Sequence, residues 1–345
     1  MRLSLMLLML GLALVVAGSK PAKIASLPDR EGWAGTFAGT SHGALLVAGG
    51  ANFPGKKPWE GGKKVWYDSV FLLERPGGTW KQVGKLPGPR GYGVSVSDDR
   101  GVICVGGSDA SRHHTSVFRL EWVGSKLETT PLPSLPHPLA NACGALVKTT
   151  LYVAGGQVNP DDTTTSRAVY CLDLAAPKLQ WKRIKSYPGS GRMLAVAASY
   201  DGAFWLVGGV DLQPTEAGAP KRRYLRDAYR HDPGRSWQRI APLPWPVAAA
   251  PSPAPVDATG FVLLGGDDES QVGVEPASHR GFSKAMLRYE TKTDRWVRIG
   301  ELDAPRVTAP CVAWDGSWVV PSGEVRPGVR SPEVIRIPEP GPIPR

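Results

Sequence analysis

Short apolar segments separated by polar turns run along the chain, and one arrangement of them recurs six times. In each copy an apolar strand is closed by two small residues, as in the segment LLVAGG that ends at Gly50. The closing pairs are Gly49-Gly50, Gly106-Gly107, Gly155-Gly156, Gly208-Gly209, Gly265-Gly266 and, in altered form, Ser322-Gly323. Their second glycines lie 57, 49, 53, 57 and 57 residues apart, close to the period of about 50 typical of kelch blades. The pattern therefore predicts six blades.

Each repeat has the same internal order. It begins with an apolar strand, a short turn and the strand that ends in the glycine pair. A polar loop, a third strand and a tryptophan-containing segment follow. Four short strands per repeat are typical of a propeller blade. Trp80, Trp181, Trp237 and Trp296 have equivalent positions in the fourth strand, and we interpret them as packing between blades. The predicted fold class is all-β, a six-bladed kelch-type β-propeller that forms one domain over residues 20–345.

The ring is expected to close through the N-terminal segment. The sixth repeat ends without a fourth strand, whereas PAKIASLP, residues 21–28, matches the fourth-strand segment WQRIAPLP, residues 237–244, in the spacing of isoleucine, leucine and proline. We expect residues 21–27 to complete the last blade. This pairing would cover strand edges that otherwise promote aggregation.

The N-terminus reads as a targeting signal. Arg2 precedes an apolar run from Leu3 to Val16, which the small residues at 17–19 follow. This order predicts a signal peptide over residues 1–19 and a periplasmic or secreted protein; an uncleaved anchor is the alternative. No later segment approaches about 18 uninterrupted apolar residues, so no membrane span is expected after signal cleavage.

Charge and cysteine usage narrow the choice of partners. The formal net charge is +10, but the basic residues are scattered, which argues against a nucleic-acid partner and favours small anionic ligands. The four cysteines lie inside apolar, strand-like runs and are interpreted as buried thiols rather than disulfides or metal ligands. The six histidines show no metal-binding spacing, and no metal or cofactor is expected.

The candidate chemistry lies directly after the glycine pairs. These positions are expected on the functional face of the ring, where long loops on a rigid scaffold favour binding. Only the sixth repeat combines an acid there, Glu324, with an arginine six residues later, Arg330, across a Pro327-Gly328 turn. We expect the turn to fold Arg330 back beside Glu324. The alternative is a surface salt bridge at the base of a loop.

Further candidates lie on the same predicted face. Arg90 and Tyr92 open the first strand of the second blade, Arg192 and Arg306 open those of the fourth and sixth, and Asn52 and Phe53 belong to the long first loop. We expect these six residues to contact a ligand, and one of the arginines is an alternative to Arg330 for binding a carboxylate. Structural hydrogen bonds or loop packing are the competing interpretation.

The segment SGEVRPGVR, residues 322–330, resembles the Gly-Glu-x-x-Pro-Gly-x-Arg motif of the bacterial N-acetylneuraminate epimerases, or sialic acid mutarotases. Residues 35–53, 61–73 and 88–96 also resemble this family and its cyclically permuted branch. The resemblance implies an isomerase that interconverts the α and β anomers of N-acetylneuraminate by ring opening and closure. It implies Glu324 as the acid/base and Arg330 as its partner, and it gives Arg326 no role.

Three other functions remain open at this stage. A non-catalytic kelch module that binds glycans or protein is one, because a fold does not decide a function. A copper radical oxidase on a similar propeller would need convergent His, Tyr and Cys ligands. Glycoside hydrolysis by Asp267 and Glu324, which follow neighbouring glycine pairs, would need a specific separation of the two carboxyl groups.

Overall fold

The computed structural model describes residues 23–339. The predicted signal peptide, residues 1–19, lies outside them, as do residues 21 and 22 of the predicted closing strand. In the described range the regular secondary structure is almost entirely β-strand, with one short 3-10 turn at Pro58–Glu60. None of the helical structure in this range has the length and apolarity needed to cross a bilayer.

The first four blades are antiparallel four-stranded sheets, and a short two-stranded hairpin extends from blades 1 and 4. Blade 1 comprises β1 (Phe37–Ser41), β2 (Ala44–Ala48), the hairpin β3 (Ala51–Asn52) and β4 (Val65–Trp66), β5 (Ser69–Leu73) and β6 (Lys81–Lys85). Blade 2 comprises β7 (Val94–Ser97), β8 (Val102–Val105), β9 (Val117–Val123) and β10 (Lys126–Leu132). Blade 3 comprises β11 (Cys143–Val147), β12 (Thr150–Ala154), β13 (Val169–Asp173) and β14 (Lys182–Ile184). Blade 4 comprises β15 (Val196–Tyr200), β16 (Ala203–Val207), the hairpin β17 (Val210–Gln213) and β18 (Lys221–Tyr224), β19 (Ala228–His231) and β20 (Gln238–Ile240).

Blades 5 and 6 each have three regular strands. Blade 5 comprises β21 (Gly260–Gly266), β22 (Ser283–Glu290) and β23 (Arg295–Glu301). Its inner segment is irregular because Pro251, Pro253 and Pro255 lack the N–H groups that a strand ladder requires. Blade 6 comprises β24 (Val312–Trp314), β25 (Ser317–Pro321), the hairpin β26 (Glu324–Arg326) and β27 (Val329–Arg330), and β28 (Val334–Pro338).

The N-terminal segment occupies the outer position of blade 6. Leu27 N–H donates to the Pro332 carbonyl at 2.8 Å. The Trp80 indole donates to Ala25 O at 2.9 Å, just as the Trp296 indole donates to Ala241 O at 2.8 Å in the preceding blade's fourth-strand segment. Residues 23–27 thus take the predicted place, but without a regular strand ladder.

Apolar side chains fill the spaces between neighbouring blades. One buried cluster joins β1, β2 and β5 of blade 1 to β8 and β9 of blade 2, and another joins blade 4 to blade 5. Both faces of the second strand of each blade are buried, so these strands consist of continuous apolar runs such as AFWLV in β16. The predicted six-bladed β-propeller is confirmed.

Six backbone hydrogen bonds close a ring around the central channel. Each blade contributes one residue whose N–H donates to the carbonyl of its counterpart in the preceding blade, at 2.6 to 2.8 Å. The six residues, which we call the channel ring, are Gly35, Tyr92, Asn141, Leu194, Ala249 and Thr308. All have φ between 52° and 67°, a left-handed conformation that costs a non-glycine residue about 1–2 kcal/mol. The closed hydrogen-bond circuit offsets this cost and fixes the rim of the channel.

Candidate active site at the mouth of the central channel

The residue after each glycine pair is held beside the channel ring. In every blade it forms an antiparallel bridge with the residue that precedes the ring residue. In blade 6 the bridge joins Glu324 to Val307, with backbone hydrogen bonds of 3.0 Å in both directions. The glycine-pair frame therefore brings the predicted acid to the channel mouth.

The altered pair of blade 6 links the two ends of the ring. The first glycine of the other pairs has no side chain because a Cβ there would meet a carbonyl oxygen at 2.2–2.4 Å. Ser322 instead accepts the Trp33 N–H at its hydroxyl oxygen, 2.8 Å away, and the same hydroxyl lies 2.7 Å from Ser331 O. The serine thus joins blade 1 to the base of the Glu324 hairpin.

Glu324 and Arg330 face each other across the hairpin. They are register partners in β26 and β27, and Arg330 Nη1 lies 3.4 Å from Glu324 Oε1. Oε1 also accepts the Gly328 N–H at 2.7 Å, so the Pro327-Gly328 turn orients the carboxylate. Oε2 lies 3.4 Å from the Thr308 hydroxyl, which donates its own hydrogen bond to Val307 O. Oε2 is therefore the oxygen available to a ligand.

Arg330 is buried among aromatic side chains. Its exposed fraction is 7%, its guanidinium carbon lies 4.7 Å from the centre of the Phe53 ring, and Nη2 lies 3.3 Å from the Tyr92 hydroxyl. Nε and Nη1 have no hydrogen-bond acceptor in the described chain. Tyr92 has room for its ring because a Cβ on Gly35 would approach that ring to 2.7 Å. The guanidinium thus retains donors for a further anion.

The channel below the mouth is narrow. Its cavity has a volume of about 70 Å³. The polar ring residues Tyr92, Asn141 and Thr308 line one part of it, and Leu194 and Ala249 line another. The channel ring thus borders a small cavity with a mixed polar and apolar lining.

The other predicted ligand residues divide between the site and the scaffold. Phe53 and Tyr92 contact Arg330, as described above. Asn52 is 1% exposed; its Nδ2 donates to Asp29 Oδ1 and Gly32 O, and its Oδ1 accepts the Tyr67 hydroxyl. These contacts favour a structural role for Asn52, and ligand binding by it stays a prediction.

The three arginines that open alternate blades are buried in structural contacts. Arg90 donates to Ser116 Oγ at 2.6 Å, Arg192 to Asp227 Oδ2 at 2.8 Å, and Arg306 to Glu333 Oε2 at 2.7 Å. Burial lowers the pKa of the Arg90 and Arg306 guanidinium groups. None of the three lines the channel cavity. Their predicted contact with substrate stays untested, and these partners favour the structural interpretation.

The second carboxylate considered for hydrolysis is already engaged. Asp267 Oδ2 accepts the Tyr224 hydroxyl at 2.7 Å, and Oδ1 accepts the Glu269 N–H at 3.1 Å. Burial and the Asp267 carboxylate raise the pKa of Tyr224, so the phenol stays protonated as donor. Among residues 23–339 no three His, Cys, Asp or Glu side chains are grouped as a metal site.

Sequence reasoning missed Lys64, which lies beside the site. Its Nζ lies 4.8 Å from the centre of the Tyr92 ring, 5.3 Å from that of Trp66 and 5.9 Å from that of Phe53. The only sequence signal was the pair of lysines in GGKKVW, residues 61–66. The proximity of Lys64 to Tyr92, which lies on another blade, can be recognised only once the fold is known.

Comparisons with known proteins show which proteins the chain resembles. The family model for N-acetylneuraminate epimerase matches residues 18–129, which include blades 1 and 2. The N-acetylneuraminate epimerase of Haemophilus influenzae (strain 86-028NP) is 29% identical over 227 residues, 58% of this chain and 57% of that protein. The one from Yersinia pestis (strain Pestoides F) is 43% identical over 110 residues, 28% of this chain and 27% of that protein.

The match to these relatives thus spans little more than half of the Haemophilus protein and about a quarter of the Yersinia protein. The solved structure of YjhT superposes with a TM-score of 0.68 at 15% identity, covering 91% of this chain and 97% of that one, and supports the fold. The predicted resemblance to the N-acetylneuraminate epimerases is confirmed over the matched segments.

Proposed function

We propose that the protein is a mutarotase that interconverts the α and β anomers of N-acetylneuraminate by general acid/base catalysis. The observation that carries this proposal is the Glu324–Arg330 pair at the channel mouth, in which Oε2 has the Thr308 hydroxyl at 3.4 Å beside it and two guanidinium nitrogens lack an acceptor among the described residues. The names of the relatives support the choice of sugar.

The chemistry needs one group that both takes and gives a proton. Glu324 Oε2 takes the proton of the anomeric hydroxyl and gives it to the ring oxygen as the bond between C2 and that oxygen breaks, so the open-chain ketone forms. Closure on the other face of the ketone reverses these proton transfers. A positioned acid/base contributes about 10²- to 10⁴-fold to such a step, which suits a reaction that already proceeds slowly in water.

The fixed contacts of the hairpin assign different tasks to its two side chains. Gly328 N–H and Arg330 hold Oε1, so proton transfer falls to Oε2. The substrate carries a carboxylate on the anomeric carbon itself, and the free guanidinium donors of Arg330 suit that group. A charge-assisted hydrogen bond of about 1.5–3 kcal/mol would orient the reacting centre.

We also propose that the protein acts outside the cytoplasm. The support is the sequence of residues 1–19, in which Arg2 and the apolar run from Leu3 to Val16 precede small residues. Cell fractionation with N-terminal sequencing of the exported protein tests this. A cytoplasmic protein that still contains residues 1–19 would contradict this proposal.

The test of the activity is proton NMR of freshly dissolved α-N-acetylneuraminate. Purified protein is expected to speed its equilibration with the β anomer, and Glu324→Gln should return the rate to that of buffer. The amide keeps an oxygen for Gly328 N–H but cannot accept the hydroxyl proton as a carboxylate does.

Glu74→Gln serves as the matched control, because the Glu74 side chain is 56% exposed in an ion pair with Lys81. This variant should equilibrate the sugar as fast as the wild type. If the wild type and buffer equilibrate the sugar alike, the mutarotase proposal fails and a glycan-binding module takes its place.

A further inference from the structure

Lys64 is a cation without an anionic partner. It precedes β4 in the long loop of blade 1 and is partly buried. Three aromatic rings, those of Phe53, Trp66 and Tyr92, surround its Nζ within 6 Å. In the described part of the chain it has neither an ion pair nor a hydrogen bond to an acceptor.

Lys64 and Arg330 converge on the same two rings. The Phe53 ring has the Arg330 guanidinium 4.7 Å from its centre and Lys64 Nζ at 5.9 Å. The Tyr92 ring has Lys64 Nζ 4.8 Å from its centre, and its hydroxyl lies 3.3 Å from Arg330 Nη2. Two like charges therefore share one aromatic wall although they come from blades 1 and 6.

None of the acids near this wall forms an ion pair with Lys64. Glu324 pairs with Arg330, and Glu31 pairs with Lys57. Asp29 accepts hydrogen bonds from Asn52 and from backbone N–H groups. Arg330 in addition has two buried nitrogens, Nε and Nη1, without a hydrogen-bond acceptor. Lys64 is thus the cation beside this wall that has no ion-pair partner among the described residues.

We propose that Lys64 and Arg330 together form a subsite for the carboxylate of a sugar acid, with Lys64 setting the preference for an anionic over a neutral sugar. This inference rests on the proposed function and names a second positioning residue for it. A carboxylate between the two cations gives Lys64 an anionic partner and Arg330 an acceptor, while the aromatic rings contact the apolar face of the sugar. The anomeric carbon, which bears that carboxylate, then lies towards Glu324.

The test measures binding without turnover. The methyl α-glycoside of N-acetylneuraminate cannot open its ring, and its C1 carboxamide lacks the negative charge. Calorimetry should show that the wild type binds the carboxylate about 10- to 100-fold more tightly than the amide, the range expected for charge-assisted hydrogen bonds. Lys64→Met should lower the affinity for the carboxylate about tenfold and leave the affinity for the amide unchanged.

Two variants separate the charge of Lys64 from the loop that carries it. Lys64→Arg should restore most of the preference because it keeps a cation over the rings. Lys63→Met removes the exposed neighbouring lysine and should change neither affinity. If Lys64→Met keeps the wild-type preference, or if the wild type binds neither probe, the subsite is wrong.

The mutarotation rate of the wild type tells the two proposals apart. Accelerated mutarotation with an unchanged preference in Lys64→Met would overturn the subsite and keep the mutarotase. A preference that depends on Lys64 in a protein that does not accelerate mutarotation would keep the subsite and overturn the mutarotase.

Discussion

The hairpins of blades 4 and 6 share one backbone frame and differ in what they present. In blade 4, Val210 follows the glycine pair and is the register partner of Tyr224. In blade 6, Glu324 follows the Ser322-Gly323 pair and is the register partner of Arg330. Both first residues form the same bridge to the residue before the channel ring. The frame is thus a property of the fold, and the chemistry depends on two side chains.

The difference extends to the partners that each hairpin reaches. The Tyr224 hydroxyl donates to Asp267 in the next blade, so the carboxylate of blade 5 is used to join blades. Glu324 instead keeps Oε2 beside the channel with the Thr308 hydroxyl at 3.4 Å. Of two carboxylates that follow neighbouring glycine pairs, one holds the ring together and one is available to a ligand.

Exchanging the side chains of one hairpin for those of the other should have the largest effect. The double variant Glu324→Val and Arg330→Tyr gives blade 6 the pair of blade 4. We expect the mutarotation rate to fall by about 10²- to 10⁴-fold, because the acid/base is removed, while circular dichroism shows an unchanged β-sheet spectrum. Proton NMR of the α anomer measures the rate. A variant that still turns over at the wild-type rate would place the acid/base elsewhere.

Arg192 in blade 4 tests whether a buried arginine on this blade stabilises the fold. It is fully buried, pairs with Asp227 at 2.8 Å and has its guanidinium 4.6 Å from the Tyr187 ring. Arg192→Met leaves the Asp227 charge without its partner, and we expect a loss of about 3–5 kcal/mol in the free energy of unfolding. Urea denaturation measures this change, with exposed Arg235→Met as the control on the same blade.

The same variant also tests the sequence-based assignment of Arg192 to the substrate. Folded Arg192→Met protein should bind the methyl glycoside of N-acetylneuraminate as the wild type does. Unchanged stability together with weakened binding would reverse our interpretation and make Arg192 a ligand.

The sequence predicted the features that recur in every repeat and the residues that depart from the repeat. The six blades follow from the glycine pairs, and Glu324 and Arg330 are recognisable because they depart from the other five repeats. The direction in which a side chain points could not be predicted in this way. Arg192 and Asn52 lie at loop positions as expected, but only the packing shows that their polar groups contact the scaffold. Lys64 was missed because its contact with Tyr92 joins two blades, and no local pattern encodes such a contact.

A third member of the comparison gives the smallest expected effect. In blade 2 the residue after the glycine pair is Ser108, and its partner across the loop is His113. The two ring nitrogens of His113 are buried and have no hydrogen-bond partners among the described residues. Burial lowers the pKa of His113 below its ordinary value of 6.5, with Asp162, Asp109 and His114 as the charged or titratable groups around it. The unfolded chain therefore binds this proton more readily than the folded one.

Stability linked to His113 should thus fall as the pH drops from 7 to 5. His113→Phe keeps a ring in the buried space and removes the titration, so its free energy of unfolding should fall less over this range than that of the wild type. Urea denaturation at both pH values measures the difference, and His137→Phe, at an exposed position, is the control. An equal loss in both variants would mean that the hairpin position of blade 2 contributes nothing to acid sensitivity. A smaller loss in His113→Phe alone would show that the hairpin position of blade 2 holds an imidazole that stays neutral in the folded protein.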